Sequence, residues 1–586
     1  MRRPLRRAIG ALLPLSVAPF AAGCARAPRG EPAAAATATS RAAPPALRPR
    51  TRAERTGYRE TSRHADVVAF LDSLRALGAP VRVASLGRSA EGRDIPFVVA
   101  SRPLVAGPEE ARRLGRPVVY VQGNIHGGEV EGKEALQALL RDLSLSRAPN
   151  ALDSIVLVAV PLYNADGNER LAAQAVNRSE QNGPELVGER TNGAGLDLNR
   201  DYVKAEAPET RAALALFREW DPDVFVDLHT TDGSYHGYAI TYAPPLEPSA
   251  PLAAHTRDSI LPELRRRMRA RRGIETFDYG NFSLRYGEDV NTDTVRHGWF
   301  SYDHRPRFGS NYYGLRGRVG ILSEAYSHDP FERRVASTRA FVSEVLSLAA
   351  ERRPMAVDVI GRLRREAAVA CLTDLREAAR VAVNPPRGCA LALHSRLTTT
   401  PYVGEVIAED LARAADTTTL AEPGLARGLR RTGRFRRLRM PVHDRFTPEL
   451  VTTTPAAYFL DPSLGAAVEL LRMHGVVVER LAATESGETD VFAIDSLAVS
   501  PRPFQGHREV RLAGRWRSVR GTLPAGGYVV ATAQPLGLLA AYLLEPQSDD
   551  GLATWNVLDG ALRPGGDFPV RRLRALPAAA ARRDAR

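Results

Sequence analysis

The chain has 586 residues, 44% of them hydrophobic and 25% charged, with a formal net charge of +13. That balance belongs to a folded protein of more than one domain and excludes fibrous and disordered classes, and with only three cysteines a disulfide-dense scaffold is excluded as well. All but two of the 80 basic residues are arginine; they are scattered among acids through every segment, so the charge reads as a compositional bias and no nucleic-acid partner is expected.

Residues 1–23 join Arg2, Arg3, Arg6 and Arg7 to an apolar stretch that ends in small residues, the pattern of a signal peptide. Pro14 and Pro19 argue against a buried helix there. Ala21-Ala22-Gly23-Cys24 is similar to a bacterial lipobox, and a lipidated Cys24 would tie the chain to a membrane surface without spanning it. A secreted or periplasmic location is therefore expected, with membrane anchoring if Cys24 carries lipid. Residues 24–56, rich in Ala, Pro, Arg and Thr, read as a flexible linker. Cys371 and Cys389 either pair in an oxidising compartment or are two buried thiols.

Helical periodicity begins at His64–Leu77. The run Arg116–His126 (RPVVYVQGNIH) predicts a strand, and Gly132–Leu143 a helix. Ser154–Leu162 is a second strand, Arg211–Trp220 a helix, Asp223–His229 (DVFVDLH) a third strand and Val319–Glu324 (VGILSE) a fourth; Arg339–Ala349 closes the series as a helix. Apolar strands alternating with helices predict an α/β domain over residues 57–350, with a mixed, largely parallel central sheet flanked by helices. Residues 351–577 read as an accessory β-rich α+β region: a helical piece at Val357–Ala382, then strands at Ala457–Leu460, Val476–Leu481, Asp490–Val499, Glu509–Arg520 and Tyr528–Ala533. Residues 578–586 read as a tail without structure.

In parallel sheets ligands sit beyond the carboxyl ends of the strands, and His126, Asn164, His229 and Glu324 all fall there. His126 and Glu129, three apart across two glycines, can offer nitrogen and oxygen to one ion, with Glu131 as a rival ligand. His229 at the next strand tip would complete two histidines and a carboxylate, a catalytic zinc set. Asp227, two residues before it, is read as pointing to the other face and structural. Asn199 and Arg200 in GLDLNRDY supply a neutral donor and a rigid fork for a carboxylate. A carboxylate at the buried tip of VGILSE, Glu324, would be costly unless it works or is paired, and it suits a general base.

Together these pieces resemble the zinc carboxypeptidase (carboxypeptidase A-like) family: SLGRSAEGRDIP (85–96), GNIHGGEVEGKEA (123–135), PLYNADGNE (161–169), GLDLNRDY (195–202), DLHTTDGSYHGY (227–238) and ILSEAYSHD (321–329), over about half the chain. The resemblance implies one zinc ion per chain held by His126, Glu129 and His229. It also implies a substrate carboxylate gripped by Asn199 and Arg200, and Glu324 as general base on a zinc-activated water. An arginine upstream of the Asn-Arg pair would stabilise the oxyanion; Arg178 and Arg190 are the candidates, with Gln181 nearest the family position. A mobile tyrosine is implied too, and Tyr312 and Tyr313 are candidates, Tyr313 preferred. The implied activity is a secreted metallocarboxypeptidase acting on peptides with a free C-terminal carboxylate. Arg305 and Arg307 would favour an acidic terminal residue if they face the pocket. The isolated His394, His443, His474 and His507 read as structural. Two alternatives stand beside this reading: an amidase or deacylase of the same fold acting on small acyl-amino acids or cell-wall peptides, and an inactive peptidase-fold binding protein.

Overall fold

The centre of the molecule is a sheet whose four inner strands are almost wholly apolar, because helices cover both faces and leave no solvated side to alternate toward. The computed structural model describes residues 48–282, 298–351, 389–413 and 429–578. Eight strands form the main sheet: β1 (Val81–Arg88), β2 (Asp94–Ala100), β3 (Val118–Gly123), β4 (Val156–Val160), β5 (Val224–Thr230), β6 (Ile240–Ala243), β7 (Thr276–Asp278) and β8 (Val319–Ala325), in the order β1-β2-β4-β3-β5-β8-β6-β7. The inner four, β4-β3-β5-β8, are parallel; β2 pairs antiparallel with β4, and β6 antiparallel with β8. Every residue of β3, β4, β5 and β8 is buried. Helices α1 (His64–Ala76), α2 (Glu131–Ser144), α3 (Pro208–Trp220) and α4 (Phe331–Ala350) flank the sheet. The predicted mixed, largely parallel sheet is thus present.

The C-terminal region is β-rich, with a six-stranded sheet built from Ala457–Leu460, Glu479–Arg480, Glu485–Val499, Val510–Leu523, Tyr528–Ala531 and Val570–Leu573. Helices Gly465–Met473 and Gly537–Leu544 pack with it. The break expected at residue 350 is not a break in packing. One apolar core runs from Val119 and Phe225 through Leu471, Tyr542 and Trp555, and the described residues from Pro49 onward form one compact unit.

The linker expected through residue 56 is already folded at Thr51. There a capping box with Glu54 opens a helical turn, Arg52–Arg55, and Arg141 of α2 binds the Pro49 carbonyl and the Glu54 carboxylate. The arginine run 430–439 lies in the strand Leu429–His443, where Arg431, Arg436 and Arg437 pair with Glu409, Asp410 and Glu405 of the antiparallel Tyr402–Arg413. Cys389 takes part in a disulfide. The expected signal peptide, Cys24, Cys371 and the helical piece 357–382 lie outside the described residues; among the described residues no helix is long and apolar enough to cross a membrane.

Candidate active site

The loop leaving β3 carries the first two candidate ligands. Asn124, at φ 61°, turns the chain into the left-handed region, and its Nδ2 donates to the carbonyls of His126, Gly127 and Glu129, each at 3.1 Å. Gly127 packs so closely on the backbone of Gly167 and Glu189 that a Cβ has no room, so glycine is what allows this loop to fold flat against its neighbours. His126 Nδ1 lies 2.8 Å from Glu129 Oε1, and His229 Nδ1, from the end of β5, lies 3.0 Å from Glu129 Oε2. The three ligand atoms fall within 4.8 Å of one another and all three residues are buried.

Two further carboxylates stand behind the rings. Asp197 Oδ1 is 3.1 Å from His126 Nε2, and Asp227 Oδ2 is 3.0 Å from His229 Nε2. Asp197 fixes the His126 ring with Nδ1 turned inward, the carboxylate–histidine arrangement that orients metal ligands, and Asp227 stands at ion-pair distance behind the His229 ring. Asp227 is therefore not merely structural: residues i and i+2 of a strand share a face, a rule that places it beside His229. Burial alone would raise the Glu129 carboxyl, but His126 and Arg178 hold it well below its usual range. Burial likewise lowers His229, and Asp227 and Glu129 outweigh it, leaving the ring well above its usual value. Carboxylates and ring nitrogens converging on one buried point favour a cation there, and the His₂Glu donor set fits zinc. Glu131 drops out as a ligand because its carboxylate is engaged by Arg334 and Thr230.

Glu324 sits on β8 directly opposite His229 in the parallel register. It is 8% exposed, and its Oε2 is buried with no hydrogen-bond partner among the described residues. Burial raises its carboxyl well above the ordinary range; His229 opposes this, while the charges of Glu129 and Asp232 reinforce it. A buried carboxyl with an unpartnered oxygen opposite His229 suits general acid–base chemistry.

Asp197 also joins this centre to the Asn199–Arg200 pair. Its Oδ1 accepts from Asn199 N at 2.9 Å and its Oδ2 from Arg190 Nε at 3.0 Å. Asn199 Oδ1 accepts from Gly309 N. Arg200 stacks its guanidinium 3.9 Å over the Phe308 ring and donates one hydrogen bond, to the Asn199 carbonyl. It forms no ion pair among the described residues, and burial pulls its pKa down.

The two oxyanion candidates separate. The Arg178 side chain is 4% exposed and spent on Glu129 and on the Thr230 and Thr231 carbonyls. The Arg190 side chain is 35% exposed, with Nη1 3.7 Å from Glu129 Oε1. Gln181 is buried on the carbonyls of Gly128 and Gly183.

Both tyrosine candidates are buried in the core. Tyr313 is fully buried and stacked on Phe217 at 3.7 Å, and Tyr312 is buried against His474, 2.7 Å from its Nδ1. The segment Gly309–Leu315 is a helix facing the core. The phenols that feel the Glu324 charge belong instead to Tyr279 and Tyr302; Tyr279 donates to Asp232 Oδ2 at 3.0 Å. Nor do Arg305 and Arg307 line a pocket: Arg305 pairs with Asp303, and Arg307 is buried against Asp550 and Glu509.

An α/β sheet carrying a buried His₂Glu set at its strand ends defines a metallohydrolase-type centre. The family described as zinc carboxypeptidase matches residues 67–283. Carboxypeptidase 2 of Trichophyton rubrum is 24% identical over 515 residues, 83% of this chain and 82% of that protein. Human carboxypeptidase D is 29% identical over 216 residues, 31% of this chain and 15% of the other. Among solved structures, a metallo-carboxypeptidase from Burkholderia cenocepacia is 19% identical, covers 50% of this chain and 70% of its own, and gives a TM-score of 0.37. Residues 67–283 thus match the zinc carboxypeptidase family, and most of the chain is similar in sequence to carboxypeptidases.

Proposed function

We propose that the protein is a secreted metallocarboxypeptidase that removes C-terminal residues from peptides. The observation that carries this reading is Arg200: a guanidinium with no ion pair among the described residues, beside Asn199 and coupled through Asp197 to the His126–Glu129–His229 set. A peptide's terminal carboxylate fits that fork bidentately and would be fixed relative to the reacting centre. One zinc ion held by His126, Glu129 and His229 would supply Lewis acidity toward the scissile carbonyl and lower the pKa of a bound water. Glu324 takes up a proton on its carboxylate and returns it to the leaving amine. Arg190, more exposed than Arg178, donates to the oxygen on which charge develops. Export rests on the signal-peptide pattern of residues 1–23, and attachment to a membrane surface on Cys24.

Gln505, in the C-terminal region, accepts a hydrogen bond from the Asp197 backbone N–H. Its approach to the site supports a second reading, an amidase or deacylase of the same fold acting on small acyl-amino acids or cell-wall peptides. The test is zinc content of the mature protein together with hydrolysis of paired peptides bearing free and amidated C-termini. About one zinc per chain and cleavage of free ends alone are expected. Equal cleavage of amidated ends sinks the carboxypeptidase reading, and zinc with no peptide cleavage transfers it to the second.

A further inference from the structure

Asp197 holds three functional groups at once: the His126 ring, the Arg190 guanidinium and the Asn199 amide. Its own backbone N–H is in turn held from the far end of the chain, donating to Gln505 Oε1 at 3.0 Å. Gln505 lies at the tip of a two-residue hairpin. Phe504 N donates to the His507 carbonyl at 2.7 Å, and His507 N to the Phe504 carbonyl at 3.0 Å. Gln505 and Gly506 have φ of 49° and 81°, both left-handed, a turn in which Asn-Gly is the favoured pair. A glutamine is strained at the first position. Its extra methylene is what carries the amide oxygen to Asp197.

The hairpin is anchored beside the same loop. His507 Nε2 lies 2.8 Å from Glu206 Oε1 and its Nδ1 3.1 Å from Asn556 Oδ1. Lys204 packs its ammonium 4.9 Å over the Trp555 ring. The opposite wall of the clamp is backed by the same region. Asp550 accepts from Arg307 N at 2.6 Å and from Arg307 Nε at 2.9 Å, immediately before Phe308, which stacks on Arg200, and Gly309, which donates to Asn199.

We propose that Gln505 is a positioning residue for the carboxylate clamp, so that the C-terminal region completes the substrate site. This rests on Asn199 and Arg200 gripping a terminal carboxylate.

Two variants of the full-length, zinc-loaded enzyme test it. Gln505→Met keeps length and loses the acceptor; Gln505→Asn improves the turn and withdraws the acceptor. With an N-acylated dipeptide bearing a free C-terminus, both are expected to raise KM about threefold to tenfold, the worth of one backbone hydrogen bond, with kcat less affected. Hydrogen exchange in the segment 195–200 is expected to quicken in both. Thermal stability is expected to part the two, Gln505→Asn being at least as stable as the parent.

KM and exchange unchanged in both variants overturn the proposal. So does KM that simply follows stability, with Gln505→Asn indistinguishable from the parent. If the parent itself cleaves amidated and free ends alike, the clamp reading fails first; if the parent discriminates and the variants do not differ from it, only the role of Gln505 is lost.

Discussion

Replacing Arg200 with methionine separates binding from folding unusually well, because the guanidinium does little for the fold. Its contacts with the protein are one hydrogen bond to the Asn199 carbonyl at 2.9 Å and the stack on Phe308 at 3.9 Å. The first is worth about 1 kcal/mol net and the second about 0.5–1 kcal/mol, and methionine refills part of the same volume. Arg200→Met should therefore cost no more than about 2 kcal/mol of stability, since no carboxylate is left behind without its partner. A bidentate grip on a substrate carboxylate is larger: two hydrogen bonds between charged groups, together about 3–5 kcal/mol. At 1.4 kcal/mol per decade, kcat/KM for a free C-terminus should fall between about a hundredfold and a few thousandfold. An amidated peptide, cleaved slowly by the parent, should lose less than about threefold. The assay is the ratio of kcat/KM for free and amidated forms of one peptide, measured beside urea unfolding. A parallel fall for both peptides, or a loss of stability large enough to explain the loss of rate, refutes the argument.

On the proposed reading Glu324→Gln removes the proton carrier and leaves His126, Glu129 and His229 untouched; turnover should fall about a thousandfold or more with zinc content unchanged, and retained turnover would exclude Glu324 as the base. The buried pair Glu247 and His304 makes stability depend on pH. Burial pushes Glu247 up to about 7, with His304 opposing and Asp549 reinforcing. His304 is raised because Asp549 and Glu247 outweigh its burial. Both folded values lie above the unfolded ones, so their stabilisation is full at low pH and lost as pH rises, from about 4.5 through 7 for Glu247 and beyond 6.5 for His304. Thermal scans should show stability falling between pH 5 and 8, and Glu247→Gln should remove about 3 kcal/mol of that slope; a profile unchanged by the substitution would contradict the assignment.

The sheet was legible because its inner strands are short apolar runs that end abruptly in His126, His229 and Glu324, and a buried parallel strand has no other way to look. The candidate ligands followed from those ends. Asp227 could also have been placed, since i and i+2 in a strand share a face, and Thr51 and Glu54 carried a capping-box signature inside what looked like linker. The tyrosines could not: Tyr312 and Tyr313 differ from cleft residues only in burial, which depends on Phe217, Phe225 and His474 arriving from distant segments. The contact of Gln505 with Asp197 joins positions 308 residues apart, and nothing local at either end announces it beyond a turn at Gln505-Gly506.

The joint between the clamp segment and the C-terminal region is made of charge where apolar packing would have been cheaper. Arg307 and Asp550 are both buried, with Glu509 and Trp555 completing the cluster, and a buried ion pair seldom stabilises more than a well-packed apolar pair of the same volume. What the pair supplies is register: a planar fork meets a carboxylate that also takes the Arg307 backbone N–H, which leaves one alignment for Phe308 under Arg200 and Gly309 under Asn199. If so, stability and substrate binding must come apart. Asp550→Ala alone leaves the buried guanidinium with Glu509 and takes the acceptor from Trp555 Nε1, and should cost about 2–4 kcal/mol. The double replacement Arg307→Met with Asp550→Leu should restore stability to within about 2 kcal/mol of the parent and still raise KM for free C-termini, because the apolar joint tolerates sliding. Recovery of KM together with stability in the double variant would show that the charges serve the fold alone.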